Sequence, residues 1–206
     1  MKKTRKRKEK RSPIIILILV LIVVVFVVWY FFFREKPIVV TVVSRIDDYN
    51  YYLDSNETRI YKKYYKELEE ELEDNKVDEK KYAEIISKLF VIDFYTLTNK
   101  LTNQDIGGIQ FIHSNLQNQF MTDASNTIYK YVKNNLSGSR RQKLPEVNKV
   151  EITNIETSKY ENDNYQDDSS YQVSLKIGYV KDYDYPEEVT LTLIHEENKL
   201  VIVEID

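Results

Sequence analysis

Cysteine is absent from the 206 residues. This removes disulfides, thiolate catalysis, cysteine zinc sites and iron–sulfur clusters. There are two histidines, His113 and His195. No His-x-x-x-His pair and no Ser/His/Asp ordering ties either to a nucleophile. Charge is missing from Ile14 to Phe33, and no Ala-x-Ala-like cleavage site follows that run. No repeat or low-complexity linker divides the rest of the chain.

The uncharged run is rich in Ile, Leu, Val and Phe and ends in Trp29 and Tyr30 followed by Phe31–Phe33. It is too long for the apolar core of a cleavable leader, about 7–15 residues, and it lacks the polar stripe of a soluble helix. The expectation is a transmembrane signal anchor over 13–33 that contacts membrane lipid. Before it stands a basic tail, 1–12, with Lys2, Lys3, Arg5, Lys6, Arg7, Lys8, Lys10 and Arg11. Such a cluster favours the cytoplasmic side. The expected protein is therefore single-pass in the cell membrane, with its C-terminus and an extracytoplasmic domain, 34–206, outside.

Residues 37–206 hold 20 basic against 31 acidic side chains, a net charge of −11. Bulk electrostatics of that sign disfavour nucleic acid and anionic polymers, so no nucleic-acid partner is expected. Arg140, Arg141 and Lys143 form the one local basic cluster. A cysteine-free domain of this kind fits the exterior of a bacterium better than a disulfide-stapled secretory product.

The pattern along the domain is α+β. Residues 38–46 read as an added N-terminal strand, followed by a turn at 47–50 and a short return strand. Asp54-x-x-Glu57 resembles a capping box before a helix over 57–75. Asp78 caps a second helix over 79–100, apolar on more than one face and hence the centre of the core. Gly107–Gly108 interrupts the chain, and Ser114-x-x-Gln117 resembles a second box opening a helix over 115–135, with Gly138 at its end. After Pro145 the period changes to two. Strands begin at Val150, then at Val173, Val189 and Leu200, giving a four-stranded antiparallel meander with one wet face.

Three helices followed by such a meander resemble the cone-shaped, cystatin-like folds of the nuclear transport factor two and ketosteroid isomerase group. With the tail at Lys2–Arg11 and the run Ile14–Phe33, the order is also similar to the bitopic core subunit of type IV secretion and conjugation machines. That resemblance implies a domain that binds other envelope proteins or itself in an envelope-spanning assembly. The alternative is a cell-wall or small-ligand binding module, with an enzyme using a cone-cavity acid behind it.

Some members of the cone group use a cavity carboxylate or histidine as a base, which draws attention to Asp93 inside Phe90-Val91-Ile92-Asp93-Phe94. The competing role is a structural acid bonded to backbone or tyrosine, and that role is the expectation. His113 precedes a helix cap and His195 continues the Val189-Leu191-Leu193 face, so each reads as a satisfied structural histidine. The stretch 162–168 fails the calcium-loop pattern, lacking Gly at its sixth position and Glu at its twelfth. No enzyme activity, cofactor, metal or catalytic residue is assigned.

Overall fold

A computed structural model describes residues 13–33, 37–74 and 76–206; at 13, 14 and 31–33 only the backbone is described. The chain divides into two units, Met1–Pro37 and Ile38–Asp206.

The first unit contributes α1 (Pro13–Phe33). Pro13 occupies the first helical position, where its missing N–H costs nothing. From Ile15 to Tyr30 the apolar side chains are exposed. The transmembrane span expected over 13–33 is not supported. Among the described residues no helix is long and apolar enough to cross a membrane. The signal anchor, the lipid contact and the single-pass cell-membrane placement lose their basis with it. The basic tail that set the orientation, and the flank at 34–36, lie outside the described residues.

The second unit is α+β. A small antiparallel pair, β1 (Val42–Ile46) and β2 (Tyr51–Asp54), is joined by a single 3-10 turn, and Asn50 adopts the left-handed conformation needed to reverse the chain. The strand expected over 38–46 is thus shorter, and it does not join the main sheet. Helices α2 (Arg59–Leu72), α3 (Glu79–Tyr95) and α4 (Gln117–Asn126) follow. Then come β3 (Val147–Glu161), β4 (Gln166–Tyr179), β5 (Glu188–Glu196) and β6 (Lys199–Ile205), antiparallel in the order β3-β4-β5-β6.

α3 is the spine of the core. Asp78 caps it by accepting from the Lys81 amide at 3.1 Å, and every residue from Leu89 to Tyr95 is buried. Against it pack Tyr61, Tyr65 and Leu68 of α2 and the inward row Val173, Leu175, Leu191 and Leu193 of the sheet. Burial of this apolar surface, at about 25 cal/mol per Å², is the main force holding helices to sheet.

Two helix ends differ from the expected ones. α2 is capped by Thr58, whose hydroxyl accepts from Tyr61 N at 3.3 Å; Asp54 ends β2 instead, and Glu57 is left outside the helix. α4 stops at Asn126, well before 135. Ser125, Asn126 and Thr127 each bond back to a carbonyl of the preceding turn, which competes with helix continuation. Beyond α4, Tyr131 is 75% exposed, whereas Tyr129 is fully buried.

Candidate functional site

A concavity of about 360 Å³ in the second unit lies at the C-terminal end of α3. It is walled by the end of β2, the approach to α2, Asp93 and the loop from Lys100 to Gln110. None of the residues lining it comes from β3–β6. The space between α3 and the sheet is filled by the core, so this pocket lies off the sheet.

Asp93 sits in the last turn of α3 with both oxygens engaged. Oδ1 accepts from Lys100 Nζ, and Oδ2 accepts from the Gly108 amide at 2.6 Å. That close approach explains the glycine pair. A Cβ on Gly107 would collide with Asp93 backbone and carboxylate, and one on Gly108 would stand 2.6 Å from the Phe90 ring. Gly108 also takes a positive φ of 78°, which a glycine tolerates at least cost. Beside it, Tyr129 donates to Phe94 O at 2.7 Å and accepts from Gly107 N at 3.1 Å. Gln110 clamps β2 to the loop, accepting from Tyr52 N at 2.9 Å and donating to Tyr52 O at 3.1 Å.

The loop is braced from behind by Arg140. Its guanidinium donates to the carbonyls of Leu97, Thr98, Lys100 and Lys133 at 2.7–3.3 Å. The one local basic cluster of residues 37–206 is therefore partly engaged inside the fold.

Lys100 is the cation at the centre. Burial by itself would lower its pKa, but Asp93 and then Glu57 outweigh that and hold the ammonium above the usual lysine value. Glu57 is only 8% exposed, with Oε1 3.9 Å from Lys100 Nζ and Oε2 accepting from Asn99 Nδ2 at 3.2 Å. Burial first, then repulsion from Asp93, pushes its pKa up to about 8. The Glu57–Lys100 approach is the longer of the two that Lys100 makes to carboxylates. Asp54 is raised for the same reasons, burial and then Asp93 and Asp105, while Asp105 accepts from the Leu101 amide at 2.7 Å.

Among the described residues lining the pocket, the buried Asn56 Oδ1 lacks a hydrogen-bond donor. Four carboxylates face one lysine, and that lysine already serves Asp93.

The histidines lie elsewhere. His113 Nδ1 accepts from Asn115 N at 3.2 Å, its Nε2 is 3.5 Å from Glu196, and its ring is 4.3 Å from that of Tyr165. Ser114, expected to cap, bonds Glu196 through its hydroxyl instead. His195 Nδ1 pairs with Asp167 at 2.8 Å, and its Nε2 is 3.7 Å from Glu79. Both imidazoles thus fasten the β3–β4 hairpin tip. Among the described residues no three histidines or acids are grouped to hold a metal ion. At 162–165 the chain is a turn in which Asn162 Oδ1 accepts from the amides of Asn164 and Tyr165.

Of Asp93, His113 and His195, the side chains weighed in the sequence for chemistry, only Asp93 lines the pocket. Lys100, Glu57, Asp54 and Asn56 were missed. Asp54 and Glu57 carried a capping-box spacing that concealed them, and the one signal for Lys100 was a lysine set between Leu97 and Leu101. Comparison with family models, characterised proteins and solved structures returns no match.

Proposed function

We propose that residues 38–206 form a small-ligand-binding module. The observation that carries this reading is a cavity of about 360 Å³ on whose wall Asp54, Glu57, Asp93, Lys100 and Asp105 converge. The volume falls at the small end of ligand pockets, about 300–1,000 Å³. Binding rather than catalysis fits Asp93, whose two oxygens each already accept a hydrogen bond that fixes the α3 end to the following loop.

The test is an NMR screen of small polar compounds against the full chain, read at the Gly107, Gly108 and Gln110 amides. Gln104 is exposed at the pocket rim, and Gln104→Trp should plug it. Shifts that appear with wild type and vanish in Gln104→Trp support the module. Shifts that persist in the plugged variant, or no shifts at all, refute it.

The protein-partner reading, with another envelope protein or a second copy, keeps one observation in its favour. An apolar groove formed by Ile112, Leu116, Phe120 and Ile205 runs beside β6, the edge strand. Cross-linking through cysteines placed at that groove tests it; a purely monomeric outcome in cells counts against it.

A further inference from the structure

The edge of the sheet opposite β6 carries a separate case, at β3. This strand runs 15 residues, from Val147 to Glu161, and among the described residues it borders β4 alone. Its other edge therefore presents unpaired backbone N–H and C=O groups, a template for another strand. No proline interrupts it, and Lys149, Glu151, Asn154 and Glu156 are all exposed. Beside residues 148–151 lies an open trough of about 520 Å³, whose far wall is Arg59, Ile60, Lys63 and Tyr64 of α2. A strand added about 4.8 Å from β3 would occupy that trough.

The pairing with β4 fixes which way the side chains of β3 face. Val150, Ile152, Ile155 and Thr157 stand opposite Ile177, Leu175, Val173 and Tyr171, the inward row of β4. The ladder shifts between Ile152 and Asn154, and a bulge of one residue swaps the faces. Lys149, Glu151, Asn154 and Glu156 therefore share the outward face. Lys149 Nζ lies 2.8 Å from Glu151, and Asn154 donates to Glu156 at 2.9 Å. One donor and one acceptor stand on each side of the bulge.

We infer that β3 pairs antiparallel with β3 of a second copy, about a twofold axis between Ile152 and Thr153. This register sets Lys149 opposite Glu156, Val150 opposite Ile155 and Glu151 opposite Asn154, and the symmetry repeats each pair. Inward residues meet inward ones, and on the outward face donors and acceptors alternate around a ring of four side chains. A slide of two residues one way opposes Glu151 to Glu156, which is destabilising. The same slide the other way leaves Glu156 opposite Val147. On the inward face, Ile155 of the second copy enters the trough beside Ile60 and Tyr64, which are half-buried in the single chain. The occupant is another copy because both halves of the complementary pattern belong to β3 itself. About ten residues a side make a small interface of the weakly associating class, and the net charge of −11 on each domain opposes it. None of these residues lines the pocket at the end of α3, so the inference is independent of the ligand-module reading.

The experiment is sedimentation equilibrium of the full chain at concentrations up to about 1 mM, which covers weak association. The wild type should self-associate. Lys149→Glu and Glu156→Lys each set like charges face to face twice per dimer, and each should weaken association by at least roughly tenfold. Net charge alone would instead separate these variants, since one adds negative charge and the other removes it. The double swap Lys149→Glu/Glu156→Lys should restore association, and the two single variants, mixed, should pair with each other. Register is read by cysteines. In one chain positions 149 and 156 are about 23 Å apart along the strand, too far for an internal disulfide. Oxidised Lys149→Cys/Glu156→Cys should therefore link two chains, whereas Lys149→Cys/Ser158→Cys, one register away on the same face, should link far less. A wild type that stays monomeric overturns the inference, as do single variants that associate like wild type. Failure of the swap to restore association, or equal linking by the two cysteine variants, overturns it as well.

Discussion

Replacing Lys100 with Met tests the electrostatic arrangement most directly. The lysine is 3% exposed and Asp93 is 7% exposed, so neither charge is relieved by water. Met keeps the length and apolar stem of Lys but deletes the ammonium. Asp93 then retains only the Gly108 amide, and Glu57 loses its one nearby cation. Stranding one partner of a buried pair costs about 3–5 kcal/mol, a large share of a typical domain's 5–15 kcal/mol. Asp93→Asn should cost less, about 1–3 kcal/mol, because Lys100 can turn to Glu57, already 3.9 Å away. The double variant Lys100→Met/Asp93→Asn should be more stable than Lys100→Met alone, since no charge is then stranded. Urea unfolding followed by near-UV circular dichroism of the buried tyrosines, at two pH values, measures all three. The loss in Lys100→Met should shrink at the lower pH, where protons neutralise the stranded carboxylates. A loss under about 1 kcal/mol for Lys100→Met, or strict additivity in the double variant, would refute this account of the pocket.

Two further outcomes follow from the same geometry. Between the ordinary glutamate value of 4.5 and about 8, the folded state holds a Glu57 proton that the unfolded chain has released. Stability should therefore fall as pH rises through that window, and Glu57→Gln should flatten the fall in a series of urea titrations. Tyr129→Phe removes a hydroxyl that donates to Phe94 O and accepts from Gly107 N, and should cost about 1–3 kcal/mol. Tyr131→Phe, at a side chain 75% exposed, should stay within about 0.5 kcal/mol, and equal losses in thermal melts would contradict the assignment of the buried tyrosine.

Legibility in the sequence followed burial. α3 was readable because Asp78 is a strong cap and apolar residues cover several faces. The inner halves of β3 and β4 were readable because Val150, Ile152, Val173 and Leu175 alternate against the core. Their outer halves, 153–161 and 166–172, extend beyond the core, and most of their residues are exposed or only half-buried. No hydrophobic period can mark a strand with few buried positions, so the long hairpin was not visible. The helix over 115–135 failed for the opposite reason. Its apolar spacing was genuine, but side chains at 125–127 captured the backbone carbonyls and ended α4 early.

The pocket was hidden for a third reason, which bears on what it holds. Its groups come from four separated segments, and each has a plausible local role: Asp54 and Glu57 as a capping box, Asp93 as a helix acid, Lys100 as a loop cation. Only the fold shows that they converge at the C-terminal end of α3. A helix dipole is negative at that end, so it adds to the carboxylates rather than offsetting them. The surrounding domain carries a net charge of −11 over residues 37–206, which raises the local concentration of small cations near its surface. Long-range field, helix end and carboxylates thus have the same sign, and among the described residues Lys100 is the one cationic side chain lining the pocket that opposes them.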